Sequence, residues 1–289
     1  MSLLFQETLN GVMVGSIYAL IAIGLTVIFG VMDISNFAHG EFLMLGAYVS
    51  YLLSTIYQLS FFVSLCLAGL TVGLIGIVLE KLCFHPLMGR SSVGTDTIML
   101  TIGLCMLVEN LVQAIWTPTP RMLPDPFKGI SIMMPLGVSI GFLRVISFVI
   151  AISILVAFQL FLTRNKMGIA INATAQNKKA ALLMGVNINK IYSLAFFMSA
   201  FTAGVGGTLY STIYALFPTM GATPTLKAFV ITILGGMGSI RGAIFGGFIL
   251  GITEALGGTY IASGYKDAFG FIILILILLL RPSGLFGRK

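Results

Sequence analysis

The chain has 289 residues, 58% of them hydrophobic and only 9% charged, with a mean hydropathy of +1.06 and a formal net charge of +7. A soluble domain carries about a quarter charged residues, so this chain cannot cover a water-facing surface, and the breaks between its apolar runs are too short for a soluble domain. The long continuous runs exclude a barrel of short alternating strands. They leave an all-α, polytopic transmembrane helical bundle, one domain over 1–289.

The apolar runs predict nine membrane segments, at about 9–31, 42–58, 60–80, 97–116, 141–163, 190–214, 226–239, 242–258 and 266–281. The seventh and eighth are short for full crossings. They read as half-length helices meeting at the Gly-rich turn "GGMGSIRG", which leaves eight or nine crossings open.

Between the first two segments lies "DISNFAHGEF", with Asp33, Asn36, His39 and Glu41. Two readings stay open. It is a polar turn at the membrane surface, or an interrupted helix whose polar groups line a translocation pathway. The carboxylate of Glu41 also suits a helix start just before Phe42. Glu109 and Glu254 fall within apolar spans, where carboxylates usually face a bundle interior or an aqueous cavity. Glu109 joins the pathway candidates. The plainer alternatives are a hydrogen bond to a neighbouring helix and, for Glu254, snorkelling to the interface.

The segment from Arg164 to Lys190 carries Arg164, Lys166, Lys178, Lys179 and Lys190 and no acid, and the tail adds Arg281, Arg288 and Lys289. The positive-inside rule puts both in the cytoplasm, with Lys81, Arg90 and Arg241, and puts the N-terminus outside. The Pro-rich loop at about 117–140 is then external, with five of the nine prolines between Thr117 and Pro135. Arg121, Lys128, Arg144, Lys227 and Lys266 fall on the outer side against this bias. The basic residues are strung along loops, so membrane lipid and not nucleic acid is the expected contact. The first basic residue is Lys81, so no cleavable signal peptide is expected. Cys66, Cys83 and Cys105 imply no disulfide framework.

Small residues at four-residue spacing let helices approach closely in lipid. Gly238, Gly242 and Gly246 form such a run, and Gly247/Gly251, Gly11/Gly15 and Gly69/Gly73 repeat the spacing. In the cytoplasmic segment, about 164–189, "QNKKAALLMG" predicts a short helix through Ala180, Ala181 and Leu182. Gly185 stands where a left-handed C-terminal glycine belongs, and Asn187 or Asn189 can cap the next helix. The small apolar face suits either a partner protein's groove or the lipid surface.

Four blocks, in order, resemble the landmarks of the LivH-type permeases of bacterial branched-chain amino-acid ABC importers. They are "NGVMVGSIYALIAIGLTVIFGVMDISNFAHGEFLMLGAY", "KMGIAINATAQNKKAALLMGVN", "KAFVITILGGMGSIRGAIFGGFILGITEAL" and "YKDAFGFIILILILLLRPSGLFGR". The resemblance implies a bacterial inner-membrane subunit working with a sister permease, two cytoplasmic ATPases and a periplasmic or extracellular amino-acid-binding protein. It implies that the segment with Arg164, Gly168, Ala173, Ala180, Ala181, Leu182 and Gly185 is the ATPase-coupling loop. Relatives often carry acids just before this short helix, where Gln176 and Asn177 stand here.

The residues themselves contain no Gly-x-x-x-x-Gly-Lys-Ser/Thr, so no cofactor is expected in this chain, and ATP with Mg would sit on the partners. His39 and His85 make no metal site with the cysteines or acids. No catalytic residue is expected either, since no Gly-x-Ser-x-Gly occurs around Ser239. Two transport alternatives stay open: an ion-coupled carrier or channel using Asp33, Glu109 and Glu254, and a related ABC permease for urea or short amides.

Overall fold

The computed structural model describes residues 2–88, 93–134 and 138–287. Arg90, Pro135, Arg288 and Lys289, used in the charge and loop readings, lie outside the described residues.

Four helices precede a small hairpin: α1 (Ser2–Met32), α2 (His39–Thr55), α3 (Phe61–Leu79) and α4 (Val93–Trp116). The hairpin pairs β1 (Ser131–Met134) with β2 (Val138–Gly141), Ile132 standing opposite Ile140. Then come α5 (Phe142–Arg164), α6 (Lys166–Gln176), α7 (Lys178–Leu183), α8 (Ile188–Tyr210), α9 (Ala222–Gly235), α10 (Ile240–Tyr260) and α11 (Lys266–Leu280). Each of the nine expected membrane segments is one helix. Among the described residues seven are long and apolar enough to cross a bilayer: α1, α3, α4, α5, α8, α10, and α11 with the turn before it.

The expectation of half-length helices holds for α9, with 14 residues, and is corrected for α10, which has 21. The second short helix is α2, with 17 residues. The segment 164–189 also differs from expectation, because it holds two helices and not one. The missed α6 is rich in residues with weak helix propensity, Gly168, Asn172 and Thr174, and is held by tertiary contact instead.

Helix α1 is the axis of the bundle and packs against α10, α8, α9 and α5. Its approach to α10 explains two of the glycine pairs together. A Cβ on Gly11 would lie 2.9 Å from the Gly251 carbonyl oxygen, and one on Gly15 would lie 2.8 Å from that of Gly247. The two helices therefore run antiparallel with backbones touching, as small residues permit in lipid. Gly69 and Gly73 of α3 seat Val205, Phe201 and Phe197 of α8 in the same way. Gly242 and Gly246 lie against α9, but Gly238 is a correction: it precedes α10, in the turn, at φ +80°.

Two ends of the bundle can be told apart. At the loop end, Val138 and Ile140 of the hairpin pack on Met13 near the start of α1, and Arg121 pairs with Leu216 through two backbone hydrogen bonds. At the other, basic end, α1 finishes beside α6, Lys178, Gly238 and Arg241. The chain's end folds back there, with the Leu285 and Phe286 amides donating to the carbonyls of Leu234 and Gly235. Lys81 follows Glu80, which accepts from Ser193 of α8 at 2.7 Å, so it belongs to this end too. Much of α3, α4, α5 and α11 presents bare apolar side chains, as lipid or a partner helix requires.

Candidate translocation and coupling sites

The chain leaves α1 through Asp33, which stands at φ +56°, and runs without regular structure to Phe37 and Ala38. It does not stay at the surface. His39 Nε2 donates to the carbonyl of Ile21 at 2.8 Å, and a Cβ on Gly24 would lie 3.1 Å from His39 Cε1. Ile21 is eleven residues back from Met32, or about 16 Å along the helix. The segment thus climbs back into the bundle, and α2 begins at membrane depth. Irregular backbone survives there only when buried in protein or lining water. Here it is buried: Asn36, His39, Gly40 and Glu41 are all enclosed.

Each polar side chain has a definite part. The Asn36 carboxamide oxygen accepts from the Ala38 amide at 3.1 Å and turns the chain into α2, leaving its nitrogen without a partner. With Nε2 donating to Ile21, a neutral His39 ring accepts at Nδ1 from Ser199 Oγ at 3.4 Å. His39 therefore ties α1, α2 and α8 together. Glu41 sits in the first turn of α2, with one oxygen beside Gly221 at the start of α9 and the other unpartnered. Two helix N-termini meet at this carboxylate. From here the two short helices diverge. α2 rises to the loop end, where Tyr48 meets Trp116, and α9 descends to the basic end, where Thr232 meets Thr26. Glu109 is half-buried on α4, which packs lightly against α2, the helix that carries Glu41.

Glu254 does not snorkel. It is 1% exposed and faces the interior, where its Oε2 accepts from Lys227 Nζ at 2.7 Å and from the Tyr18 hydroxyl at 3.1 Å. Lys227 also reaches Asp267 Oδ1 at 2.9 Å, so one ammonium joins α9, α10 and α11 to the α1 hydroxyl. From the sequence Lys227 reads as a cation on the outer side, against the positive-inside bias. An intramembrane Lys in "TLKAFVITI", with an intramembrane Glu on the next helix, was the available signal.

In the segment 164–189 Gly185 and the Asn187 cap are as expected, and two further caps appear. Asn165, Asn177 and Asn187 cap α6, α7 and α8, accepting from the amides of Met167, Ala180 and Lys190 at 2.9, 3.0 and 3.1 Å. Gly185, at φ +83°, ends α7. Its amide bonds to Leu182 O and that of Val186 to Ala181 O, the double closure of a Schellman turn. The small helix points differently from expectation: Ala181 is turned inward at 4% exposure. Leu182, Leu183 and Met184 project at 61, 87 and 84%, with Ala180 also exposed. Gly168 packs on the α5 backbone at Phe161 and Leu162 and folds α6 back, Ala173 is half-buried, and Arg164 is exposed. Beside α6 opens a cleft of about 1090 Å³, lined by Asp33, Gln159, Asn172, Lys178 and Arg241 among others.

Two short helices starting back to back at membrane depth inside a polytopic bundle are a feature of membrane transport folds. The chain belongs to the family described as branched-chain amino acid transport system / permease component, whose model matches residues 7–278. It is 35% identical to the BraD permease of a high-affinity branched-chain amino acid transport system of Pseudomonas aeruginosa, and 35% identical to the LivH permease of Escherichia coli K12. Each match covers 98% of this chain and 95% of the relative. A probable LivH of Methanocaldococcus jannaschii is 27% identical over 96% of this chain and 91% of its own length. The LivM permease of Escherichia coli K12 is 26% identical over 93% of this chain and 67% of its own length. No solved structure matches.

Proposed function

We propose that this chain is the permease subunit of an ATP-driven importer that carries branched-chain or other neutral amino acids into the bacterial cytoplasm by alternating access. The observation that carries this is the end-to-end likeness to LivH and BraD, over 98% of the chain. The importer is completed by a LivM-like sister permease in the inner membrane, two ATPases holding ATP and Mg, and an external binding protein. The basic end is cytoplasmic, as its Arg and Lys residues favour, and the ATPase cleft receives Leu182, Leu183 and Met184. The acid-free approach Gln176–Asn177 offers no carboxylate to an ATPase; Asn177 serves as a cap instead.

A carrier working alone would need a carboxylate free to take up and release a cation. Of the acids that reading would use, Glu254 is held by Lys227 and Tyr18 and is not free for that task. The test is purification in mild detergent after light crosslinking, with every co-purifying protein identified by mass, followed by leucine uptake in proteoliposomes. Two nucleotide-binding subunits, a second permease and ATP-dependent uptake are expected. Recovery of the chain alone, with gradient-driven uptake, would overturn the proposal.

A further inference from the structure

We propose that the pocket bounded by Tyr210, Tyr214, Lys227, Lys266 and Asp267 is a binding subsite for the zwitterionic head of a neutral amino acid with an aliphatic side chain. The class of substrate rests on the function proposed above; the site itself rests on geometry.

The cavity holds about 270 Å³ and opens where the α8–α9 connection meets the start of α11. That is below the span of about 300–1,000 Å³ that serves drug-sized ligands, and it suits a smaller molecule. Its floor is the built part. An ammonium has three donors, and those of Lys227 go to Tyr18, Glu254 and Asp267, at 2.9, 2.7 and 2.9 Å. Lys227 is therefore saturated, and it fixes Asp267 in place.

Two groups keep capacity for a ligand. Lys266 Nζ makes a long 3.4 Å bond to the Tyr214 hydroxyl and lies 5.9 Å from that ring's centre, which leaves donors for a carboxylate. Asp267 gives Oδ1 to Lys227 while its side chain stays 61% exposed, which leaves an oxygen for an ammonium. The rings of Tyr210 and Tyr214 stack at 4.4 Å and form the apolar wall. Lys227 and Lys266 balance Glu254 and Asp267 in charge. A zwitterion enters this field without upsetting its balance, whereas a net anion or cation would leave one charge without a counter-charge. Lys266 meets the carboxylate, Asp267 the ammonium, and the tyrosines the side chain.

The experiment uses the full-length chain with the subunits that purify with it, in lipid nanodiscs and without binding protein. Saturation-transfer NMR to the methyl groups of L-leucine reads binding directly, with L-leucinamide, which lacks the carboxylate, as comparison. Wild type should bind leucine and discriminate against leucinamide. Lys266→Gln should weaken leucine about tenfold or more, the scale of one charged hydrogen bond, and lose the discrimination, while Lys266→Arg should restore both. Asp267→Asn should weaken leucine and spare its deaminated analogue isocaproate. Leucine binding unchanged in Lys266→Gln and Asp267→Asn would overturn the subsite, even if ATP-driven import by wild type is intact. Binding that follows the expected pattern without any import would instead overturn the importer reading and leave the subsite standing.

Discussion

His39 and Ile21 are joined by a 2.8 Å hydrogen bond from ring to backbone carbonyl, and the ring is fully enclosed. That bond decides between the two readings of "DISNFAHGEF". A surface turn would leave His39 in water beyond Met32; instead the chain is stapled about 16 Å up α1. His39→Leu keeps the bulk and removes both bonds, leaving Ser199 without its acceptor. The expected loss is roughly 1–3 kcal/mol, seen as a lower unfolding midpoint in detergent. A midpoint equal to wild type would mean that packing alone holds α2.

The Lys227–Glu254 pair carries a different expectation, because both charges are buried. Removing one partner leaves the other uncompensated, at about 3–5 kcal/mol. Lys227→Met should therefore reduce the amount of folded chain recovered from membranes far more than the double variant Lys227→Met/Glu254→Gln. Equal recoveries would show that water reaches the pair.

On the basic face, Leu183 and Ala181 are two residues apart but point opposite ways, at 87 and 4% exposure. Leu183→Asp should leave the chain folded and cut ATPase association, because an apolar knob becomes a charge. Ala181→Trp should act by another route, prising α7 from α8 and lowering thermal stability. Pull-down of the ATPases together with a melting curve separates the two. Intact association in Leu183→Asp would remove the knob from the docking surface.

The glycine contact between α1 and α10 is tested by size. Gly15→Val would press against the backbone of Gly247 and Phe248, where no side chain can rotate away. Overpacking costs about 1–3 kcal/mol, and the melting midpoint should fall accordingly. Gly103→Val on α4 meets nothing within 4 Å and should be neutral. A neutral Gly15→Val would mean that α1 and α10 are not in backbone contact.

The helical segments were legible because apolar runs bounded by polar loops carry their own length signal. The caps at Gly185 and Asn187 were legible because capping is local. What escaped was tertiary. Glu254 reads as a snorkelling acid until Lys227 is seen beside it, 27 residues earlier on another helix. Ala181 and Leu183 look equivalent in a six-residue helix too short to show a face. The hairpin from Ser131 was hidden because "SIMM" does not alternate, and its pairing is set by packing on Met13. α6 was hidden because Gly168 looks like a breaker, while in the fold it is the point of closest approach to α5.

Orientation follows from charge, and it can be tested by chemistry. Lys128 in the loop and Lys179 on α7 are both exposed, and they lie at opposite ends of the bundle. The native thiols Cys66, Cys83 and Cys105 are replaced first, since Cys66 is itself exposed. In that background Lys128→Cys should react with an impermeant maleimide in intact cells, and Lys179→Cys only after the membrane is opened. The reverse pattern would put the Leu182–Met184 knob outside, away from any ATP. ATPase docking at α7 would then be impossible, whatever the sequence likeness.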